Sequence, residues 1–194
     1  MKKFNKSLKI ILINPPSSFL IDQRVFPPLG ILYLAAVLRE NGYNPKAIDL
    51  GFYKDWENKL EEIRADFIGL TSTTPQALNL EMIYKVLRKN NPNAFFVIGG
   101  NHATAFPEKF LDMGFDSVIV GEGENAILSL VNNLENGKKP GKIIKMPFIK
   151  DIDTIPFPAR DLIQIKEYEF LIDNKNATTI MTSRGCPFRC AFCS

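Results

Sequence analysis

Five short apolar runs separated by amphipathic stretches constrain this chain more than any other feature. Leu8–Asn14, Pro45–Leu50, Asp66–Ser72, Ala94–Gly100 and Asp116–Gly121 are rich in Ile, Val, Leu and Phe, and several are apolar throughout. A strand without polar alternation is covered on both faces, which is the mark of a parallel sheet built from βαβ crossovers. The intervening segments carry helical patterns. Leu29, Leu32, Tyr33, Ala36 and Val37 recur at helical spacing from Pro28 to Asn41-Gly42, where Gly42 can cap the C-terminus. A short charged helix is expected in 55–65, a longer one from Pro75 to about Asn90, a short one at Pro107–Met113 and a closing one over 124–137. The expectation is an α/β fold: a doubly wound five-stranded parallel sheet in the order 2-1-3-4-5, complete by about Gly137.

Composition narrows the class. Of 194 residues, 45% are apolar and 23% charged, as in a soluble globular protein. The formal charge is only +3, with no Lys/Arg block, so charge does not point to a nucleic-acid partner. The N-terminal lysines resemble the start of a secretory signal, but the apolar run Ile10–Ile13 is too short and Asn14-Pro15-Pro16 ends it. With no transmembrane stretch, a cytoplasmic protein without a membrane partner is expected.

Three regions follow: 1–137 as the sheet domain, 138–176 as a linker or appended element with Pro140, Pro147, Pro156 and Pro158, and 177–194 as a new unit. The last opens with a strand expected at Ala177–Thr182 and holds every cysteine of the chain.

Ligands of open parallel sheets sit beyond the C-terminal strand ends. The loops there offer Ser72, Thr73 and Thr74 after the third strand, Gly99 and Gly100 after the fourth, and Gly121 and Gly123 after the fifth. Small residues and hydroxyls suit a flat or extended ligand held by backbone amides. Neither a P-loop nor a dinucleotide fingerprint after the first strand is present. His102, the one histidine, has no nearby His or Cys, and contact with a ligand is the preferred role over metal ligation.

Cys186, Cys190 and Cys193 form CxxxCxxC. Three thiolates so close fit one side of an iron–sulfur cluster, and in a [4Fe–4S] cluster they leave one iron open. Structural zinc needs a fourth ligand, and a disulfide strands one thiol.

The stretch TSRGCPFRCAFCS resembles the cluster motif of the radical S-adenosylmethionine (radical SAM) superfamily. That resemblance implies S-adenosylmethionine on the open iron, cleaved on reduction to a 5′-deoxyadenosyl radical, in a loop after the first strand of a (β/α) barrel. The segments INPP, PPLGILYLAAVLRENGY, IGLTSTTPQ, IGGNHAT, VGEGE and IPFPARDL are similar to the branch with an N-terminal cobalamin (B12)-binding domain of flavodoxin-like, Rossmann-like fold. The resemblance implies cobalamin over the strand ends, held by Leu29, Gly30, Ser72, Thr73, Thr74, Gly99, Gly100, His102, Thr104, Gly121, Glu122 and Gly123. The D-x-H-x-x-G motif, whose His ligates cobalt in many B12 proteins, is absent: Gly100 stands two before His102. Cobalamin bound without a His ligand to cobalt is therefore expected.

The resemblance further implies a methyltransferase or ring-forming enzyme acting on an unactivated carbon. The remaining barrel strands are absent from the sequence, so a chain truncated just after the cluster motif, lacking its barrel partner in cis and inactive alone, is expected. Two other readings stay open: a stand-alone cobalamin-binding or sensing module, and a flavodoxin-like domain for a nucleotide or flavin.

Overall fold

A computed structural model describes residues 7–17, 20, 22–186 and 188–191. Five parallel strands follow the expected runs: β1 (Ile10–Asn14), β2 (Lys46–Asp49), β3 (Phe67–Thr71), β4 (Phe95–Gly99) and β5 (Ser117–Val120). A sixth, β6 (Ile143–Lys145), pairs in parallel with β5, giving the order β2-β1-β3-β4-β5-β6. The expected sheet was one strand short. Three residues of mixed polarity at a largely exposed edge carry no periodic signal, and their place is fixed by tertiary bonds instead. Val118 N donates to Lys142 O at 2.8 Å, and Ser117 Oγ donates to Gly141 O at 2.6 Å.

The helices fill both faces because alternate strand residues point to opposite sides. Ile11, Ile13, Ile68, Leu70, Phe96, Ile98 and Val118 face α2 (Trp56–Glu62), α3 (Ala77–Asn90) and α5 (Pro107–Met113). Ile10, Leu12, Phe67, Val97 and Ile119 face α1 (Leu29–Glu40) and α6 (Glu124–Glu135). Gly42, at φ +85°, ends α1 as its sequence required. A single turn, α4 (Asn101–Ala105), was not anticipated and sits directly after β4.

Beyond the sheet, a hairpin of β7 (Leu171–Ile172) and β8 (Lys175–Asn176) turns through Asp173 and Asn174, both at positive φ, as a two-residue loop demands. The strand expected at Ala177–Thr182 does not form: no ladder partner for it exists among the described residues, and Ile180 is 72% exposed. β propensity in Thr178, Thr179 and Ile180 has no effect without a neighbouring strand to pair with.

The post-sheet segment is pinned to the strand ends by a buried polar chain. Tyr168 Oη donates to Asp49 Oδ2 at 2.7 Å, Asn14 Nδ2 donates to Asp49 Oδ1 at 2.9 Å, and Gln76 Nε2 donates to Asn14 Oδ1 at 2.9 Å. Burial raises the Asp49 carboxyl above its ordinary range, and the hydrogen bonds from Tyr168, Asn14 and Gly51 offset this only in part. A carboxyl with a raised folded pKa binds its proton more tightly folded than unfolded. Its favourable contribution is full below the unfolded pKa and declines as pH rises through the folded one. Tyr168→Phe removes a donor to the charged form. It is expected to cost about 1.5–3 kcal/mol near neutrality and less in acid, read from urea unfolding across pH.

Candidate functional site

At the C-terminal strand ends, on the side covered by α1 and α6, lies a cleft of about 270 Å³. Its wall is apolar, with Leu12, Leu34, Val97, Ile119 and Ile127, and its rim is polar, with Thr71, Asn101, Glu122, Glu124 and Arg184. Backbone forms much of the surface. Gly69 sits mid-strand, and a Cβ there would stand 2.8 Å from Leu12 Cδ2. Gly30, in the first turn of α1, has nothing within 4 Å of where a Cβ would be, and neither has Gly121. The bare backbone at these positions keeps the cleft open and lets a ligand approach the main chain closely.

Two loops are stitched together beneath it. Ser72 N donates to Gly99 O at 2.9 Å, and His102 N donates to Ser72 O at 3.0 Å. Thr104 Oγ1 accepts from Gly121 N at 3.0 Å, tying α4 to the loop after β5. Thr73 N and Oγ1 both donate to Gln76 Oε1, joining this loop to the buried polar chain that ends at Tyr168.

The residues singled out from sequence thus separate into two groups. Gly30, Gly99, Gly100, Gly121, Glu122 and Gly123 line the cleft. Leu29, Ser72, Thr73, Thr74, His102 and Thr104 do not; Leu29 packs against the α1/α6 core, and the others brace the loops. His102 is turned into the opposite face, its ring 5.1 Å from Phe106 and 5.8 Å from Phe110 by centroid. Its Nδ1 lies 3.2 Å from Thr74 Oγ1, and its Nε2 is buried without a partner among the described residues. Burial, and then Lys109, hold the imidazole below its ordinary pKa, which favours its neutral form.

Gly69, Asn101, Glu124, Met181 and Arg184 line the cleft but were missed. An isolated Gly inside an apolar strand was the available signal for the first. The last two come from a segment remote in sequence, and no local pattern announces them.

Cys186 and Cys190 are free and exposed, two and six residues beyond Arg184, while Cys193 lies outside the described residues. No group of three metal-ligating side chains is assembled among the described residues. Nor is any described helix long and apolar enough to cross a membrane.

The model of the B12 binding domain matches residues 23–131, more than half the chain and the whole of the glycine-lined cleft apart from β1 and the 181–184 segment. The chain belongs to the B12-binding domain family. This B12-binding domain is 34% identical to an uncharacterized methyltransferase of Pyrococcus horikoshii, over 97% of this chain and 46% of that protein. It is 28% identical to the anaerobic magnesium-protoporphyrin IX monomethyl ester cyclase of Rubrivivax gelatinosus, over 87% of this chain and 35% of that one. The hopanoid C-3 methylase of Methylococcus capsulatus is also 28% identical, over 96% of this chain and 39% of its own. The chain therefore spans less than half the length of these relatives. Among solved structures, the radical S-adenosylmethionine methyltransferase TsrM of Kitasatospora setae, with cobalamin and a [4Fe-4S] cluster bound, superposes with a TM-score of 0.61. That match has 21% identity and covers 70% of this chain and 28% of that one, and it shows the shared B12-binding fold.

Proposed function

We propose that this chain is the cobalamin-binding region of a radical SAM enzyme, and that the glycine-lined cleft takes the ligand. The observation that carries the proposal is the cleft itself: apolar walls, exposed backbone at Gly30, Gly99 and Gly121, and a position at the strand ends of a B12-binding domain. The apolar wall suits the flat aromatic base of a nucleotide tail, and the polar rim suits amide side chains. His102 faces away from the cleft, which supports binding without a histidine on cobalt. Cobalamin would supply methyl-carrying or redox chemistry at its cobalt, and the chain's own residues would shape its seat and keep water from the apolar wall.

Cys186, Cys190 and Cys193 are proposed as ligands of a [4Fe–4S] cluster whose open iron binds S-adenosylmethionine. The full reaction is proposed as methyl transfer or ring formation at an unactivated carbon. The names of the Pyrococcus, Rubrivivax and Methylococcus relatives support this class.

Titration of the chain with hydroxocobalamin is expected to give saturable, one-to-one binding with a shifted visible spectrum. Uptake of flavin or nucleotide instead, with no cobalamin bound, overturns the reading. Anaerobic reconstitution with iron and sulfide is expected to load about four irons per chain. Cys190→Ala is expected to lose that iron while retaining cobalamin, so the two sites are tested separately.

A further inference from the structure

The segment that carries the cysteines has one firm attachment beside the cleft. Arg184 Nη2 donates to Glu124 Oε1 at 2.6 Å and Nη1 to Glu122 Oε1 at 3.4 Å. The guanidinium carbon lies 5.5 Å from the centre of the Tyr33 ring, within cation–π range. Arg184 Nε lies 3.1 Å from Met181 Sδ, which folds the two cleft-lining residues of the segment against each other. The ion pair with Glu124 is well sheltered, the side chains being 19% and 6% exposed. Around it Ile180, Thr182 and Ser183 are exposed, and no strand ladder among the described residues holds them. Upstream, Arg160 Nη2 donates to Thr179 O at 2.6 Å. Between that tether and Cys186, Arg184 is the anchoring side chain.

Its partners come from three separate elements: Glu122 from the loop after β5, Glu124 from the first turn of α6, and Tyr33 from α1. These elements also line the cleft, and Met181 and Arg184 line it with them. Glu122 is itself held in place, since its Oε2 accepts from Ile149 N at 2.6 Å. Glu124 is buried and Glu122 is held by Ile149, so the carboxylates belong to the sheet domain and Arg184 to the segment that follows it. The short, sheltered pair with Glu124 is a charge-assisted hydrogen bond, and removing Arg184 leaves the Glu124 carboxylate buried without that partner.

We propose that Arg184 is a positioning residue that latches the 181–184 segment over the cleft mouth, so that the same contact retains the bound cobalamin and fixes the start of the cysteine loop beside it. This rests on the cleft being the cobalamin seat. On this proposal a ligand in the cleft leaves faster when the latch is open, and an open latch frees the backbone that leads into Cys186.

The test uses hydroxocobalamin and the whole chain, with R184M, E124Q, the double variant R184M/E124Q, and R189M as a control for charge loss in an exposed part of the same segment. Dissociation of hydroxocobalamin is expected to speed up about tenfold or more in R184M and in E124Q. The double variant is expected to be no faster than the worse single one, because both remove one interaction. R189M should dissociate like the parent. In parallel, hydrogen–deuterium exchange over residues 177–186 of the ligand-free protein is expected to quicken in R184M, with exchange in β1, β3 and β4 unchanged. Equal dissociation from the parent and R184M, or unchanged exchange over 177–186, overturns the latch. A parent chain that binds no hydroxocobalamin sinks the cobalamin reading and the retention half of this proposal with it. The exchange measurement then still decides whether Arg184 holds the segment.

Discussion

Replacing Gly30 with phenylalanine is expected to abolish cobalamin retention while leaving the fold intact. Gly30 lies in the first turn of α1 with its α-carbon exposed to the cleft, and a Cβ placed there meets nothing within 4 Å. Its φ is not positive, so an L side chain brings no backbone strain. Substituting Gly within a helix is in itself stabilising by about 0.5–1 kcal/mol, since less chain entropy is lost on folding. The added ring, however, has the cleft to enter. A space of about 270 Å³ bounded by Leu34, Ile31 and Gly123 cannot hold both a phenyl group and a ligand. Affinity for hydroxocobalamin is expected to fall about 100-fold or more, a loss of about 3 kcal/mol. The midpoint of thermal unfolding should stay level or rise slightly. Gly30→Ala is the companion: its methyl group is small, so it should keep most of the affinity and gain the same helix stability. Full affinity in Gly30→Phe would place the ligand elsewhere.

The sequence made the sheet legible because short apolar runs alternate with segments of helical period, and each of the first five strands is long enough to stand out as such a run. It did not reveal β6, whose three residues are too few for a period and whose place is set by Ser117 and Val118 across the sheet. The reverse error occurred at Ala177–Thr182, where local propensity was read as a strand although a strand needs a partner. The candidate site divides in the same way. Glycines after strands were visible as open backbone, and six of the predicted residues do line the cleft. Ser72, Thr74, His102 and Thr104 lie in the correct loops, but a sequence does not say which way a side chain turns. In the structure Thr74 Oγ1 meets His102 Nδ1 and Thr104 Oγ1 accepts from Gly121 N across loops, while Ser72 Oγ donates to the carbonyl of Thr73 beside it. Arg184 was invisible as a cleft residue because its contacts are with Glu122 and Glu124, some 60 positions away in the chain.

The second large effect is expected at Gly100, and it separates two reasons for needing glycine. Gly100 and Gly121 both have positive φ, +93° and +85°. At Gly100 the angles are φ 93° and ψ 177°, a combination that only glycine adopts readily. Alanine at either position brings backbone strain of about 1–3 kcal/mol. Their surroundings differ. A Cβ on Gly121 meets nothing within 4 Å, whereas one on Gly100 would stand 2.7 Å from Ser72 O, 2.8 Å from Thr71 Oγ1 and 2.9 Å from Ser72 N. Two of these are backbone atoms that cannot rotate away, and they belong to the stitch formed by Ser72 N with Gly99 O and His102 N with Ser72 O. Forcing them apart adds about 1–3 kcal/mol of overpacking. Gly100→Ala is thus expected to cost about 2–6 kcal/mol in urea unfolding, against about 1–3 for Gly121→Ala. It should also weaken ligand binding in the molecules that remain folded, because the loops it separates carry Thr71, Gly99 and Asn101 on the cleft surface. Equal costs at the two positions would mean that the crowding at Ser72 relaxes freely. The stitch beneath the cleft would then not hold its two loops in a fixed spacing.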